Sequence, residues 1–258
     1  MFKSNVPIHN WSTRRVWVIG ESEGIGLALA HALRINNAEI IVSSRNETRL
    51  NEEFSGMAKV LPMDVTDHEQ VANSMDILIA ENAMPDTVFW LPALYHPGKL
   101  TNIDPETTRK RLQTNIVAAF NLFPRVIQHW HATPLVDKSY HWVWFSSLAA
   151  YRGLPNASDY GASRAAISHL AQCAHIELKA SNIDVSLVSP GFVDTRLTQK
   201  NDFKMPLLMT PERAAQLTLR GLKKGQFETH FPKRISLIFK LLSIIPIGLY
   251  LKLMRIFK

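Results

Sequence analysis

Val16-Trp17-Val18-Ile19-Gly20-Glu21-Ser22-Glu23-Gly24-Ile25-Gly26 is the stretch that decides how this chain folds. A short apolar run, Val16 to Ile19, ends at a glycine and reads as a buried strand. Over residues 24–36 apolar side chains then recur at helical spacing (Ile25, Leu29, Ala32, Leu33), and Asn36-Asn37 closes the helix. Between the two, Gly20, Gly24 and Gly26 follow a G-x-x-x-G-x-G pattern, with Ser22 and Ile25 completing the loop. Such glycines permit a tight turn and close backbone approach to a pyrophosphate, which the helix N-terminus then stabilises. A plain structural turn explains the same glycines; the strand–turn–helix setting is what favours a nucleotide.

Working outward, the same alternation continues. Strands are expected over 39–44, 59–63, 87–91, 141–146, 184–188 and 227–231. Helices are expected over 68–81, 105–131 (as one helix or two), 159–181 and 211–224. Alternating β and α units predict an α/β chain, a single-domain Rossmann-type doubly wound parallel sheet with helices on both faces. No linker or repeat interrupts it. We divide the chain into an N-terminal extension (1–13), a dinucleotide-binding and catalytic domain (14–232) and a basic amphipathic tail (233–258).

At 258 residues the chain can bury a sizeable core without staples. The one cysteine, Cys173, excludes an intramolecular disulfide and a multi-cysteine metal site, and is expected as a small core residue. With no apolar run in the first eleven residues, a reduced, cytoplasmic compartment is the expectation. Eight bases against Glu228 place the whole net charge of +7 in residues 223–258, so a nucleic-acid role for the domain has no support.

Chemistry concentrates in Tyr160-Gly161-Ala162-Ser163-Arg164, with Ser147 thirteen residues upstream. A hydroxyl, a phenol and a fixed cation one helical turn beyond the phenol make a proton-transfer device. Phenols ionise near pH 10 whereas an acid or base at neutral pH wants a value of about 7, and a cation on the same helix face narrows that gap. Asp64-Val65 follows the third strand, where a carboxylate can accept from an adenine amino group; a helix N-cap region (Asp64, Thr66 or Asp67) is the equal alternative. The second strand ends in Ser43-Ser44-Arg45 without the carboxylate that binds a ribose 2′-hydroxyl. Arg45 suits a 2′-phosphate. That favours NADP and leaves NAD open, with Glu21 and Glu23 opposing a phosphate nearby.

Taken together, these residues resemble the short-chain dehydrogenase/reductase family from about Arg15 to Phe231. The markers are Gly20, Gly24 and Gly26, Asp64, Asn115, Ser147, Tyr160, and Pro190-Gly191 followed by Thr195. The resemblance implies an oxidoreductase that moves hydride between nicotinamide and a carbonyl or alcohol. Tyr160 would exchange a proton with the substrate oxygen, Ser147 would hydrogen-bond that oxygen, and Asn115 would position a relay water. Ser44, Arg45, Asp64 and Val65 would hold the adenosine end, and Pro190, Gly191, Val193 and Thr195 the nicotinamide end.

Three departures matter. Ile19 stands where the family has threonine, Trp90-Leu91-Pro92-Ala93 where it has Asn-Asn-Ala-Gly, and Arg164 where it has lysine. Arginine keeps the charge and the donors toward the ribose and Tyr160 but does not give up a proton, so a relay through it is lost. A catalytically impaired cofactor-binding regulator or scaffold at a membrane surface is the alternative reading. The segment 192–209, rich in Phe, Leu and Met, suits an apolar substrate, with Arg152 and His96 as further pocket candidates. Within the tail, residues 235–258 read as two short amphipathic helices parted at Pro246 and Gly248, and the longest uncharged run, Leu241 to Leu251, is too short to span a bilayer. Their readings, a helix pair lying in a membrane interface, a cover over the pocket or a homo-oligomer interface, stay open.

Overall fold

The computed structural model describes residues 4–20 and 23–256. Among them, seven parallel strands form one sheet in the order β3-β2-β1-β4-β5-β6-β7. The strands are β1 (Arg15–Ile19), β2 (Glu39–Ser43), β3 (Lys59–Val60), β4 (Thr87–Trp90), β5 (Tyr140–Phe145), β6 (Ile183–Pro190) and β7 (Glu228–Phe231). The helices are α1 (Gly24–Ile35), α2 (Glu47–Phe54), α3 (His68–Ala80), α4 (Pro105–Leu112), α5 (Ala119–Ala132), α6 (Ser158–Leu178), α7 (Pro211–Lys223), α8 (Lys233–Ile244) and α9 (Ile247–Ile256). The strand order reverses between β1 and β4, which opens a crevice at the carboxyl ends of the central strands.

Alternation along each strand builds two cores. Val16, Val18, Phe89 and Val143 pack with Leu29 and Leu33 of α1 and Ala214 of α7. Trp17, Ile19, Trp90, Trp142 and Trp144 pack against Met75 of α3, Val126 of α5 and Ile167 of α6. Both faces are covered, which is why the strands read as continuous apolar runs. The bulk introduced at Trp90 is absorbed by an aromatic stack: Trp142 and Trp144 rings are 5.1 Å apart, and Trp90 lies 6.2 and 6.1 Å from them. The indole N–H groups of these three find no acceptor, which offsets part of the stack's gain.

Helix α2 is absent from the sequence expectation. Asn46 caps it, Oδ1 accepting from Arg49 N at 3.0 Å, and Leu50 and Phe54, one turn apart, are buried. Strand β3 is shorter than expected because it is the sheet edge; Leu61 N and Met63 N still donate to Val42 O and Ser44 O beyond it. The helical region from Pro105 divides at a π-helical turn, Gln113–Val117, which puts Asn115 fully inside. Cys173 is not the core residue expected: α6 turns Ile167, Ala171 and Ala174 inward, and Cys173 falls off that stripe, partly exposed. Residues 4–8 strap the sheet's far end, with Ile8 N donating to Leu222 O and Asn5 Nδ2 to Val185 O. No helix among the described residues is long and apolar enough to cross a membrane.

Candidate active site

A cleft of about 660 Å³ opens at the strand carboxyl ends. Its first wall is the loop after β1. Gly20 and Gly24 have φ of +85° and +63°, a left-handed conformation that side chains resist. A Cβ on Gly24 would stand 2.8 Å from Thr195 Cγ2, so the glycine loop and the segment after β6 close on each other at this point. Helix α1 begins here with no side-chain cap and no acidic residue in its first turn, leaving its first N–H groups to a ligand. Ile25 and Gly26 line the same wall. Ser22 and Glu21 lie outside the described residues.

At the end of the cleft beside β2 and β3, Ser44, Arg45, Asp64 and Val65 all line the wall. The two readings of Asp64 separate. Asp67 is the cap of α3, accepting from Glu69 N (2.9 Å) and Gln70 N (3.1 Å). Asp64 instead accepts from Thr66 N and Oγ1 and faces the cleft. The negative charge of Glu23 is answered by Arg49 at 3.7 Å and Arg196 at 3.6 Å. Arg45 lines the same end of the cleft.

At the other end, Ser147, Tyr160 and Arg164 converge with Pro190, Gly191 and Val193. Ser147 Oγ accepts from Ala149 N at 3.1 Å, which holds it at the start of a short 3-10 turn. Tyr160 sits in the first turn of α6, its N–H donating to Asp159 Oδ1, and Asp159 is ion-paired with Arg111 of α4. Arg164 is 1 % exposed. Its guanidinium lies 5.6 Å from the centre of the Tyr160 ring and donates to Asn115 O (2.9 Å) and Phe145 O (3.2 Å); Nε is left without a partner. Burial pulls the Arg164 pKa below its usual value, against the pull of Tyr160, and the group stays charged at neutral pH.

Asn115 does not reach the cleft wall. Its Oδ1 accepts from Leu94 N (2.6 Å) and its Nδ2 donates to Leu94 O (2.9 Å) and Ser163 Oγ (3.1 Å), so it ties the loop after β4 to α6. Its main-chain oxygen takes Arg164 directly. Of the other pocket candidates, Arg152 turns to the tail and His96 is exposed outside the cleft wall.

A family profile described as short chain dehydrogenase matches residues 14–205. The chain belongs to this family. This dehydrogenase is similar to an oxidoreductase of Myxococcus xanthus, 28 % identical over 246 residues, which spans 93 % of this chain and 95 % of that one. It is likewise similar to the 2,3-dihydro-2,3-dihydroxybenzoate dehydrogenase of Escherichia coli, 28 % identical over 223 residues and covering 86 % and 84 % of the two chains. Its fold is shared with a short chain dehydrogenase of Burkholderia cenocepacia solved in complex with NADP, with a TM-score of 0.80, 22 % identity, and 96 % and 99 % of the chains covered.

The dehydrogenase also carries features with no mark in its sequence. The ring of Tyr95, in the loop after β4, lies 4.8 Å from that of Tyr160. Its hydroxyl donates to Asn201 Oδ1 (2.8 Å) and its carbonyl takes Lys200 Nζ (2.9 Å). Burial, then the charges of Tyr160, Asp159 and Asp202, push the Tyr95 phenol up to about 12, so it remains a neutral donor. The segment after β6 is thereby latched over the cleft. Its base is closed by a Val193–Met209 bridge, and Phe203 packs edge-on against Phe192. The left-handed glycines and the uncapped α1 terminus suit a dinucleotide laid across the strand ends.

Proposed function

We propose that this dehydrogenase uses NADP in preference to NAD and moves hydride between the nicotinamide and a lipophilic carbonyl or alcohol. One observation carries the reading: Tyr160 and Ser147 stand at one end of a glycine-walled cleft with a buried cation 5.6 Å from the Tyr160 ring. The nicotinamide, when bound, supplies or accepts the hydride. Ser147, already an acceptor for Ala149 N, has its own proton to donate to the substrate oxygen. Tyr160 passes a proton to or from that oxygen. Arg164 attracts the phenolate that results, through a low-dielectric interior. Because a guanidinium does not give up its proton, Tyr160 is reprotonated through the cleft mouth rather than through residue 164.

The NADP preference rests on Arg45 just past the end of β2, on the lack of a carboxylate within Ser43-Ser44-Arg45, and on Arg49, whose charge is shared with Glu23. A lipophilic substrate suits the apolar segment that covers the cleft, where Phe192 and Phe203 meet and Leu207 and Leu208 remain half exposed.

A second reading draws on Arg164. Its hydrogen bonds go to backbone carbonyls, which suits a fold-holding residue in a protein that binds nucleotide without turning over. Calorimetric titration with NADPH and NADH, followed by a lipophilic carbonyl screen, separates the two. The expected result is tighter NADPH binding and turnover that falls by about 10²–10⁴-fold in Tyr160→Phe with cofactor affinity retained. Nucleotide binding without turnover across the screen favours the second reading, and unchanged turnover in Tyr160→Phe overturns the first.

A further inference from the structure

A surface helix normally turns its apolar stripe inward and its polar stripe to water. Helix α8 does the reverse. Its inward stripe is Ser236, Lys240 and Ser243. Ser236 is fully buried with its hydroxyl 2.7 Å from His230 Nδ1, Lys240 Nζ is 2.5 Å from Glu228 Oε2, and Ser243 Oγ donates to Lys240 O at 2.7 Å. Its outward stripe is Leu237, Ile238, Leu241 and Ile244, each more than half exposed. On α9, Ile247, Leu249 and Leu251 are each exposed by half or more.

This inversion is fixed by contacts with the domain. Arg152 Nη2 donates to Ser243 O (2.7 Å) and Ile245 O (2.9 Å), satisfying the carboxyl end of α8. The same guanidinium lies 5.0 Å above the ring of Tyr250, which is 2 % exposed and donates to Gly153 O at 2.6 Å. Both helices are thus held against the domain with these seven aliphatic side chains outward, while Ile235, Phe239 and Leu242 are partly covered.

Charge selects what covers that face. Residues 229–258 contain no Asp or Glu, while Lys233, Arg234, Lys252 and Arg255 are exposed along the two helices. A second copy docked about a two-fold axis would set this basic rim against itself with no carboxylate to answer it. An anionic lipid surface meets both demands, taking the aliphatic chains into the acyl boundary and the cations among the head groups.

We infer that the outward face of α8 and α9 docks in the interfacial layer of an anionic lipid bilayer, lying on the membrane without crossing it. This inference is independent of the hydride-transfer reading. It is tested by flotation of the full-length chain with phosphatidylcholine vesicles, with and without phosphatidylglycerol. Two variants are compared, Leu237→Glu/Leu241→Glu/Ile244→Glu and Lys252→Gln/Arg255→Gln, with thermal unfolding and sedimentation velocity alongside.

The wild type is expected to float with the anionic vesicles, and less so at high salt. The triple variant is expected to stay in the aqueous fraction with its thermal midpoint unchanged. The double variant is expected to bind about fivefold more weakly for each charge removed. A wild type that stays aqueous with anionic vesicles overturns the inference, as does a triple variant that floats equally well. A wild-type dimer that ignores vesicles and that the triple variant splits would assign the face to a second copy instead.

Discussion

Replacing Arg164 by methionine separates two roles that the guanidinium plays at once. In folding, its bonds to Asn115 O (2.9 Å) and Phe145 O (3.2 Å) contribute about 1.5–3 kcal/mol each. Against them, burying a cation with no anionic partner costs several kcal/mol. These nearly offset, so Arg164→Met is expected to unfold within about 2 kcal/mol of the wild type, a Tm change below about 8 °C. In turnover nothing offsets the loss. Unit charges on the guanidinium and on a Tyr160 phenolate, with 5.6 Å to the ring centre, attract by about 3 kcal/mol at an effective dielectric of about 20. That corresponds to roughly 10²-fold in rate. Arg164→Lys restores the charge and should keep turnover within about tenfold of the wild type. Thermal denaturation followed by circular dichroism reads the first quantity, and steady-state oxidation of the reduced cofactor reads the second. Undiminished turnover in Arg164→Met refutes the electrostatic role, and collapse of its stability shows that the carbonyl bonds dominate instead.

Two further outcomes follow from the geometry. Gly24→Ala places a Cβ 2.8 Å from Thr195 Cγ2 at φ +63°, so the glycine loop must shift; cofactor binding by calorimetry should weaken at least about tenfold, and unaltered affinity would mean the loop does not cradle it. His141, fully buried beside Ser186 Oγ, has its pKa driven down to about 4 by burial, with Asp184 opposing and Arg14, Lys179 and His175 assisting. A depressed histidine contributes stability that is present above its unfolded value and lost as pH falls toward the folded one, so the window runs from about 6.5 down to 4. Urea unfolding should show about 2 kcal/mol lost at pH 5 relative to pH 7 from this group; a flat profile across that window contradicts the burial of a neutral imidazole.

The fold was legible because its signals are local. Strand-length apolar runs, the glycine loop and the helical spacing after it all reside within single elements, and they account for the sheet and its helices. Helix α2 escaped because it is short and mostly polar, with only Leu50 and Phe54 to betray it. The family resemblance grouped Ser147, Tyr160 and Arg164, and all three line one end of the cleft. What could not be foreseen was direction. Nothing in the sequence says that Asn115 turns both amide atoms onto Leu94 and Ser163, that Arg152 reaches the tail, or that Glu23 is shared by Arg49 and Arg196. Tyr95 and Asn201 lie more than a hundred residues apart, and only the folded chain brings them together.

The stack of Trp90, Trp142 and Trp144 has a practical consequence. Two of these indoles end or nearly end β4 and β5, whose next residues, Leu91, Pro92 and Ser146, form the cleft wall. Reduced nicotinamide absorbs where tryptophan emits. A reduced dinucleotide in the cleft is therefore expected to accept excitation from these rings, which lie 5.1 to 6.2 Å apart in a dry interior. Quenching of tryptophan emission on titration with the reduced cofactor is the expected gauge of occupancy, usable before any substrate is known.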